Sequence, residues 1–124
     1  MLNALLKLLE EEFKYPVFYG MVNPEKIKDD KIDWNYFVVK RDVTLKEGAI
    51  WYANINVTFV AEEYIKEGFE LEIIEKIKEK TSFKPSSSNI SFGYSRKGNT
   101  NGIIEVVTIP FTKKMKYVQC NIPN

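Results

Sequence analysis

The sequence predicts an α+β fold, with two helices on one face of an antiparallel sheet of four to five strands, in the order α-β-β-β-α-β-β. Three observations lead to this fold class. Two segments repeat apolar residues every three or four positions, one long segment alternates apolar and polar residues, and turn-forming segments separate the remaining strands. Because strands joined by short turns pair antiparallel, two helices with one apolar stripe each can cover one face of the sheet.

The length and composition predict one globular domain. The chain has 124 residues, 44% of them hydrophobic, which is enough to bury a single core. We assign the α+β domain to residues 1–112. Residues 113–124 show no periodicity, so we expect this C-terminal tail to become ordered only on assembly. The sequence predicts neither a membrane span nor a signal peptide.

The first predicted helix covers residues 3–14. Asn3 is placed to cap its start, and Tyr15-Pro16 ends it because a residue before proline avoids the helical region. The apolar stripe of this helix consists of Leu2, Leu5, Leu6, Leu9 and Phe13. Residues 17–21 then form a short β-rich run, which we predict to be the first strand.

The middle of the chain predicts two strands. Residues 22–33 are polar and predict a loop, whereas residues 34–41 are rich in aromatic and β-branched types and predict a strand. Residues 42–48 are expected to form a connection. Residues 49–61 predict the longest strand, because they alternate with a period of two. One face of it carries Ala49, Trp51, Ala53, Ile55, Val57, Phe59 and Ala61, and the other carries Asn54, Asn56 and Thr58.

The second predicted helix covers residues 68–80. Its apolar stripe consists of Phe69, Ile73, Ile74 and Ile77. Glu72 and Lys76 have the spacing of a favourable i,i+4 ion pair on this helix. Leu71 lies off the stripe, and two interpretations of it stay open: an exposed apolar contact, or part of a wider core stripe.

The last part of the chain predicts a loop followed by two paired strands. Residues 81–88 are polar and contain a proline, which indicates a loop. Residues 89–96 and 103–112 are the two strands. Residues 98–102 contain glycine and asparagine, which tolerate positive φ, and they form the turn between the strands.

The sequence lacks the residues that most enzymes need. It contains no histidine, which removes the commonest general base and metal ligand and every nucleophile scheme that depends on one. Cys120 is the only cysteine, so neither an internal disulfide nor a cysteine-rich metal site can form, and we interpret it as an incidental thiol. We therefore predict no catalytic, cofactor-binding or metal-binding residue, and a protein that is not an enzyme.

Two acidic clusters are interpreted as solvated surface. Residues 10–12 are three glutamates that point in different directions around the first helix. Asp29, Asp30 and Asp33 could collect a hard cation, but they lack the alternating ligand spacing of a calcium loop. We interpret these three aspartates as ordinary loop residues.

Residues 93–100 come close to a phosphate-binding loop. Asn99 stands where that motif needs lysine, and a strand rather than a helix is predicted to follow, so we interpret the segment as a hairpin. Residues 92–94 (Phe-Gly-Tyr) also echo the aromatic strand of an RNA-recognition module, although the basic start of that motif is missing. Aromatic residues on a strand usually serve packing, while Arg96 and Lys97 leave nucleic-acid binding open as an alternative.

The charges are distributed unevenly, although the net charge is only +1. Residues 62–80 carry four basic and seven acidic groups, a net charge of −3. Residues 81–124 carry six basic groups and one acidic group, a net charge of +5. We expect the acidic helix of one subunit to lie near the basic final third of the next, with charge setting orientation and apolar contact supplying affinity.

Several segments resemble the small tail terminator, or tail-completion, proteins of siphophages and of prophages in Gram-positive bacteria. The resemblance covers about residues 2–112 and lies in the order of the segments. They are the leucine-rich first helix, Tyr15–Gly20, Trp34–Tyr36, Val57–Val60, the helix around Gly68, Tyr94–Thr100 and Glu105–Thr112.

The resemblance implies a structural virion protein that forms a ring, usually a hexamer, at the head-proximal end of the tail. Such a ring stops growth of the tail tube, binds the major tail protein and offers a surface to head-completion proteins. It implies no catalytic residue, no cofactor, no membrane and no nucleic acid except the DNA that passes through the ring. The implied location is the virion, and the bacterial host cytoplasm during assembly. Two other classes stay open: another head–tail joining or tail-tube subunit, and a small nucleic-acid-binding module.

Overall fold

The computed structural model describes residues 2–22, 34–87, 89–97 and 101–115. Both predicted helices and the longest predicted strand are present, each within one residue of its expected bounds. In chain order the elements are α1 (Leu2–Phe13), β1 (Val17–Tyr19), β2 (Tyr36–Glu47), β3 (Ile50–Glu62), α2 (Phe69–Lys80), β4 (Lys84–Pro85), β5 (Ser91–Arg96) and β6 (Ile103–Met115).

The described strands form one sheet, and the predicted α+β class is confirmed. The sheet has six strands rather than four to five, in the order β1-β2-β3-β6-β4, with β5 also paired to β6. β4 and β5 lie one after the other along the same edge of β6, because β3 occupies the opposite edge. The expectation of a wholly antiparallel sheet was wrong for β1, which runs parallel to β2. The connection between Tyr19 and Tyr36 is long enough for the crossover that parallel pairing requires.

The core lies between the two helices and one face of the sheet. The predicted alternation along β3 is confirmed, because Ile55, Val57 and Phe59 are all buried against the helices. Five aromatic rings meet at one end of this core, and their pairwise ring-centroid distances run from 4.8 to 6.5 Å. These rings belong to Phe13, Tyr15, Phe37, Phe59 and Phe69.

The other face of the sheet carries the second residue set of each strand, as expected. A small apolar cluster covers its end near the start of β2, where burial raises the pKa of the Tyr36 phenol. Farther along this face the hydroxyl oxygens of Thr58 and Thr108 lie 3.2 Å apart, at hydrogen-bonding distance. The buried members of the cluster are Tyr36, Val38, Val60 and Ile104.

The prediction that residues 42–48 form a connection was wrong. β2 continues to Glu47, and only Gly48 and Ala49 turn the chain into β3. A register shift lies between Arg41 and Thr44, and every residue from 40 to 49 is exposed. The hairpin projects beyond the core here, so burial imposes no apolar alternation that sequence reading could detect.

Smaller differences concern the ends of elements. The predicted loop 81–88 contains the two-residue strand β4, where Pro85 sits on the sheet edge that proline tolerates. β1 ends at Tyr19, and β6 continues to Met115, so the first three residues of the predicted tail are strand. Most of loop 22–33, part of the turn 98–102 and Cys120 lie outside the described residues.

Candidate assembly surface

Ion pairs at Glu12 join the two helices on the outside of the core. The Lys80 Nζ donates a 2.7 Å hydrogen bond to Glu12 Oε1, and the Lys76 Nζ lies 3.7 Å from Glu12 Oε2. The hydrogen bond from Lys80 lowers the pKa of Glu12 and raises the pKa of Lys80. Residues 10–12 lie on the solvated side of α1 as expected, and Glu12 in addition forms exposed ion pairs with α2.

An apolar pocket opens between the end of α1 and the first half of α2. Its volume is about 330 Å³, and we call it the Phe13–Leu71 pocket. Leu71 is 59% exposed beside it, which decides between the two interpretations of this residue in favour of an exposed apolar contact. The lining residues are Phe13, Leu71, Glu72, Glu75 and Lys76.

Two carboxylates at this pocket have only loose partners within the chain. Glu72 Oε1 lies 3.7 Å from the Lys66 Nζ, and Glu75 Oε1 lies 3.8 Å from the Lys78 Nζ. The i,i+4 pair expected between Glu72 and Lys76 is replaced, because Lys76 reaches across to α1 instead. Exposed pairs at such distances contribute little to stability, so these carboxylates can exchange partners at small cost.

A second apolar surface lies at the far end of the β2–β3 hairpin. Lys46, Trp51 and Met115 form one row across three strands, and the Lys46 Nζ is 5.4 Å from the centre of the Trp51 ring. Trp51 is 40% exposed, because the helices do not extend over this part of the sheet. We call this helix-side face the hairpin platform, and its members are Arg41, Lys46, Trp51, Lys113 and Met115.

The predicted basic final third is only partly turned outward. The Lys97 Nζ forms a 2.5 Å ion pair with Glu62 Oε1, and the Lys113 Nζ lies 5.8 Å from the centre of the Phe83 ring. Some of the positive charge of the final third is therefore used within the chain itself.

The aromatic residues of β5 do not enter the core, so the expectation that they serve packing was wrong. Phe92 and Tyr94 are exposed on the edge strand, and Tyr94 reaches 63% exposure. A hydrogen bond to Glu105 raises the pKa of the Tyr94 phenol. Arg96 is exposed on the same face of β5, two residues farther on.

The structure supports the hairpin interpretation of the segment that resembles a phosphate-binding loop. β5 ends at Arg96, and the backbone N–H of Lys97 donates a 2.8 Å hydrogen bond to the Gly102 carbonyl, which leads into β6. A strand therefore follows the segment, where a phosphate-binding loop would need a helix. Within the described ranges no cluster of three potential metal ligands exists, and Asp29, Asp30 and Asp33 lie outside them.

Sequence reasoning placed Trp51 on the correct face of β3 but did not separate it from the core. The alternation marks a face, yet it carries no information about where the helices end. The one sequence signal that this end of the hairpin lies outside the core was the charge of residues 40–47, since five of these eight residues are charged.

Neither helix in the described part of the chain is long and apolar enough to cross a membrane. In comparison with known proteins, no family model matches the chain, and no curated protein shows significant sequence similarity to it.

Proposed function

We propose that this chain is a tail terminator, a structural virion protein that forms a ring at the head-proximal end of a phage tail and joins the tail to the head. One observation carries the proposal: the subunit presents two unlike apolar surfaces at opposite ends, one bordered by carboxylates and one by basic groups. The resemblance of the segment order to tail terminators supports the proposed location in the virion.

Unlike surfaces on one subunit favour ring formation. When a patch binds a different patch on the next copy, the contact is head-to-tail, and it closes into a ring if the rotation between subunits permits. A two-fold contact would instead require one self-complementary patch. We expect the ring to be a hexamer that binds the major tail protein on one side and the head-completion proteins on the other.

The test uses tail tubes polymerised from a candidate major tail protein. Mass measurement should give a monomer for the free chain and a ring on tubes, and electron microscopy should show tubes that stop growing once the protein is added. The variant Lys7→Ala, on the exposed side of α1, should behave as the unmodified chain does. Tubes that keep growing, or protein spread along the whole tube, would favour a tail-tube or head-closure subunit.

Nucleic-acid binding remains a second candidate because of one observation. Phe92, Tyr94 and Arg96 share an exposed face of β5, an arrangement that can stack bases and contact phosphate. Such binding would weaken steeply with salt. A Tyr94→Ala variant with unchanged DNA and RNA affinity would remove this candidate.

A further inference from the structure

We propose that the hairpin platform of one subunit docks on the Phe13–Leu71 pocket of the next copy of this chain. This inference rests on the proposed ring and names the two surfaces that close it. In this contact Trp51 and Met115 cover the exposed Leu71, while Arg41 and Lys46 face Glu72 and Glu75.

The two surfaces are too far apart to meet within one subunit. The Phe13 ring lies 5.5 Å from the Phe37 ring, and Phe37 pairs with Phe59 across the strands. Trp51 lies eight residues back along β3 from Phe59. At ~3.4 Å per residue the separation along the strand is roughly 27 Å, which is well beyond the reach of side chains.

The two apolar surfaces are complementary in shape. The pocket is a concave site lined by Phe13 and Leu71, and almost all of its lining is apolar. The platform offers a projecting row in which Trp51 and Met115 are adjacent across β3 and β6. A tryptophan and a methionine in a neighbour's pocket are the residue types that supply most affinity at protein interfaces.

The charged side chains that are proposed to meet across the contact are opposite in sign, although Lys76 also lines the pocket. On the platform, Lys46 is exposed in the row with Trp51, and Arg41 is exposed farther along the same face, opposite Ile55. Glu47 pairs with Ile50 on the other face of the hairpin. At the pocket, Glu72 and Glu75 have only the loose lysine partners described above. Docking therefore replaces two weak ion pairs with pairs across the contact, which orients the subunits and disfavours platform-to-platform pairing.

The expectation from the sequence is thereby refined. The acidic partner is the pocket on α2, as expected, but the basic partner includes the end of β2 as well as the final third of the chain. Lys97, which belongs to that third, is held by Glu62 inside its own subunit.

Cross-linking tests the contact directly. In a Cys120→Ser background, Lys46→Cys protein is mixed with Glu75→Cys protein on tail tubes and treated with a short thiol cross-linker. We expect covalent dimers at least ten times more abundant than in the matched control, which pairs Lys46→Cys with Lys7→Cys on α1. Equal yields from the two mixtures would overturn the proposal.

Charge exchange gives an independent readout. The double variant Glu72→Lys, Glu75→Lys should form at least tenfold fewer rings at low salt, and so should Arg41→Glu, Lys46→Glu. An equal mixture of these two variants should recover ring formation to within about threefold, because a ring in which they alternate joins opposite charges at every junction. One chain that carries all four changes should recover ring formation as well. Unchanged assembly in either double variant would contradict the contact.

The outcomes separate this inference from the proposed function. If tubes are capped normally while the Lys46 and Glu75 positions do not cross-link, the ring stands and this contact is wrong. If the cross-link forms in solution but tubes are not capped, the contact stands and the tail-terminator function is wrong. If the chain neither self-associates nor binds tubes, both are wrong.

Discussion

Glu105 Oε1 accepts a 2.6 Å hydrogen bond from the backbone N–H of Ile65, which fastens the segment before α2 to the last strand of the sheet. Glu105 is only 8% exposed. Nearby, Glu63 adopts a positive φ of 68°, and its N–H donates to the Ile103 carbonyl at 2.7 Å. These hydrogen bonds fix where α2 begins, and therefore where Leu71 and its pocket stand.

Replacing Glu105 with alanine should destabilise the protein by about 1–3 kcal/mol, because the Ile65 N–H would lose its acceptor in a partly buried site. Glu105→Gln keeps an acceptor oxygen and should lose less. Urea unfolding followed by circular dichroism measures the difference. The exposed Glu79→Ala serves as the control, with an expected change within about 0.5 kcal/mol. Similar unfolding midpoints for Glu105→Ala and Glu79→Ala would contradict the assigned role.

Phe59→Ala should cost about 3–5 kcal/mol, because it removes a buried ring from the aromatic end of the core. Its ring lies 4.8 Å from those of both Phe37 and Phe69. Phe92→Ala is the matched control on the exposed edge and should cost less than about 1 kcal/mol. Thermal unfolding of both variants checks the prediction, which fails if Phe92→Ala is the more harmful change.

Two glycines provide a test of the hairpin turn. Gly48 has a positive φ of 63°, whereas Gly93 does not, and neither has an atom within 4 Å of where a Cβ would stand. Gly48→Ala should therefore strain the backbone by about 1–2 kcal/mol, while Gly93→Ala should be nearly neutral. Hydrogen exchange of the β2–β3 amides should show faster opening in Gly48→Ala alone. Equal exchange in both variants would argue against a strained turn.

The stability of the protein should fall in acid partly through Glu12. The hydrogen bond from Lys80 lowers the pKa of Glu12 in the folded state. Its contribution to the stability of the fold is therefore fully present above the ordinary pKa of glutamate. That contribution is lost as the pH falls from about 5 through the lowered folded value. In Glu12→Gln the urea midpoint should depend less on pH across this range, whereas Glu10→Gln should follow the unmodified chain. Parallel curves for all three proteins would contradict the prediction.

We expect no nucleotide binding at residues 93–100. Lys97, the lysine of this segment, pairs with Glu62, and the chain continues into β6 instead of a helix that could hold a phosphate. Isothermal titration with ATP should give no heat of binding. Binding that disappears in Lys97→Ala would overturn both this prediction and the non-enzymatic interpretation.

Much of the fold was predictable because burial leaves a periodic trace in the sequence. The stripe that contains Leu5 and Leu9 and the alternation from Ile55 to Ala61 both come from elements with one face on the core. The projecting half of the hairpin leaves no such trace, and neither does the two-residue strand β4. The parallel pairing of β1 was also hidden, since a three-residue strand carries no signal of its direction.

The candidate surface was predictable only in part. Leu71 could be singled out because it breaks a helical stripe, but its exposure depends on where α1 ends. Trp51 could not be singled out as exposed. The alternation of apolar and polar residues is the same whether a residue lies under the helices or beyond their ends. The ion pairs of Glu12 and Glu62 were hidden as well, since they join groups far apart in the chain.

The edges of the sheet bear on whether further copies of the chain can add to it strand by strand. An exposed, regular strand edge invites further copies to add without limit, which leads to fibres. Here Pro85 removes a backbone donor from one edge, and the register shift between Arg41 and Thr44 disrupts the other. Strand-by-strand addition is therefore discouraged at β4 and along the projecting end of β2.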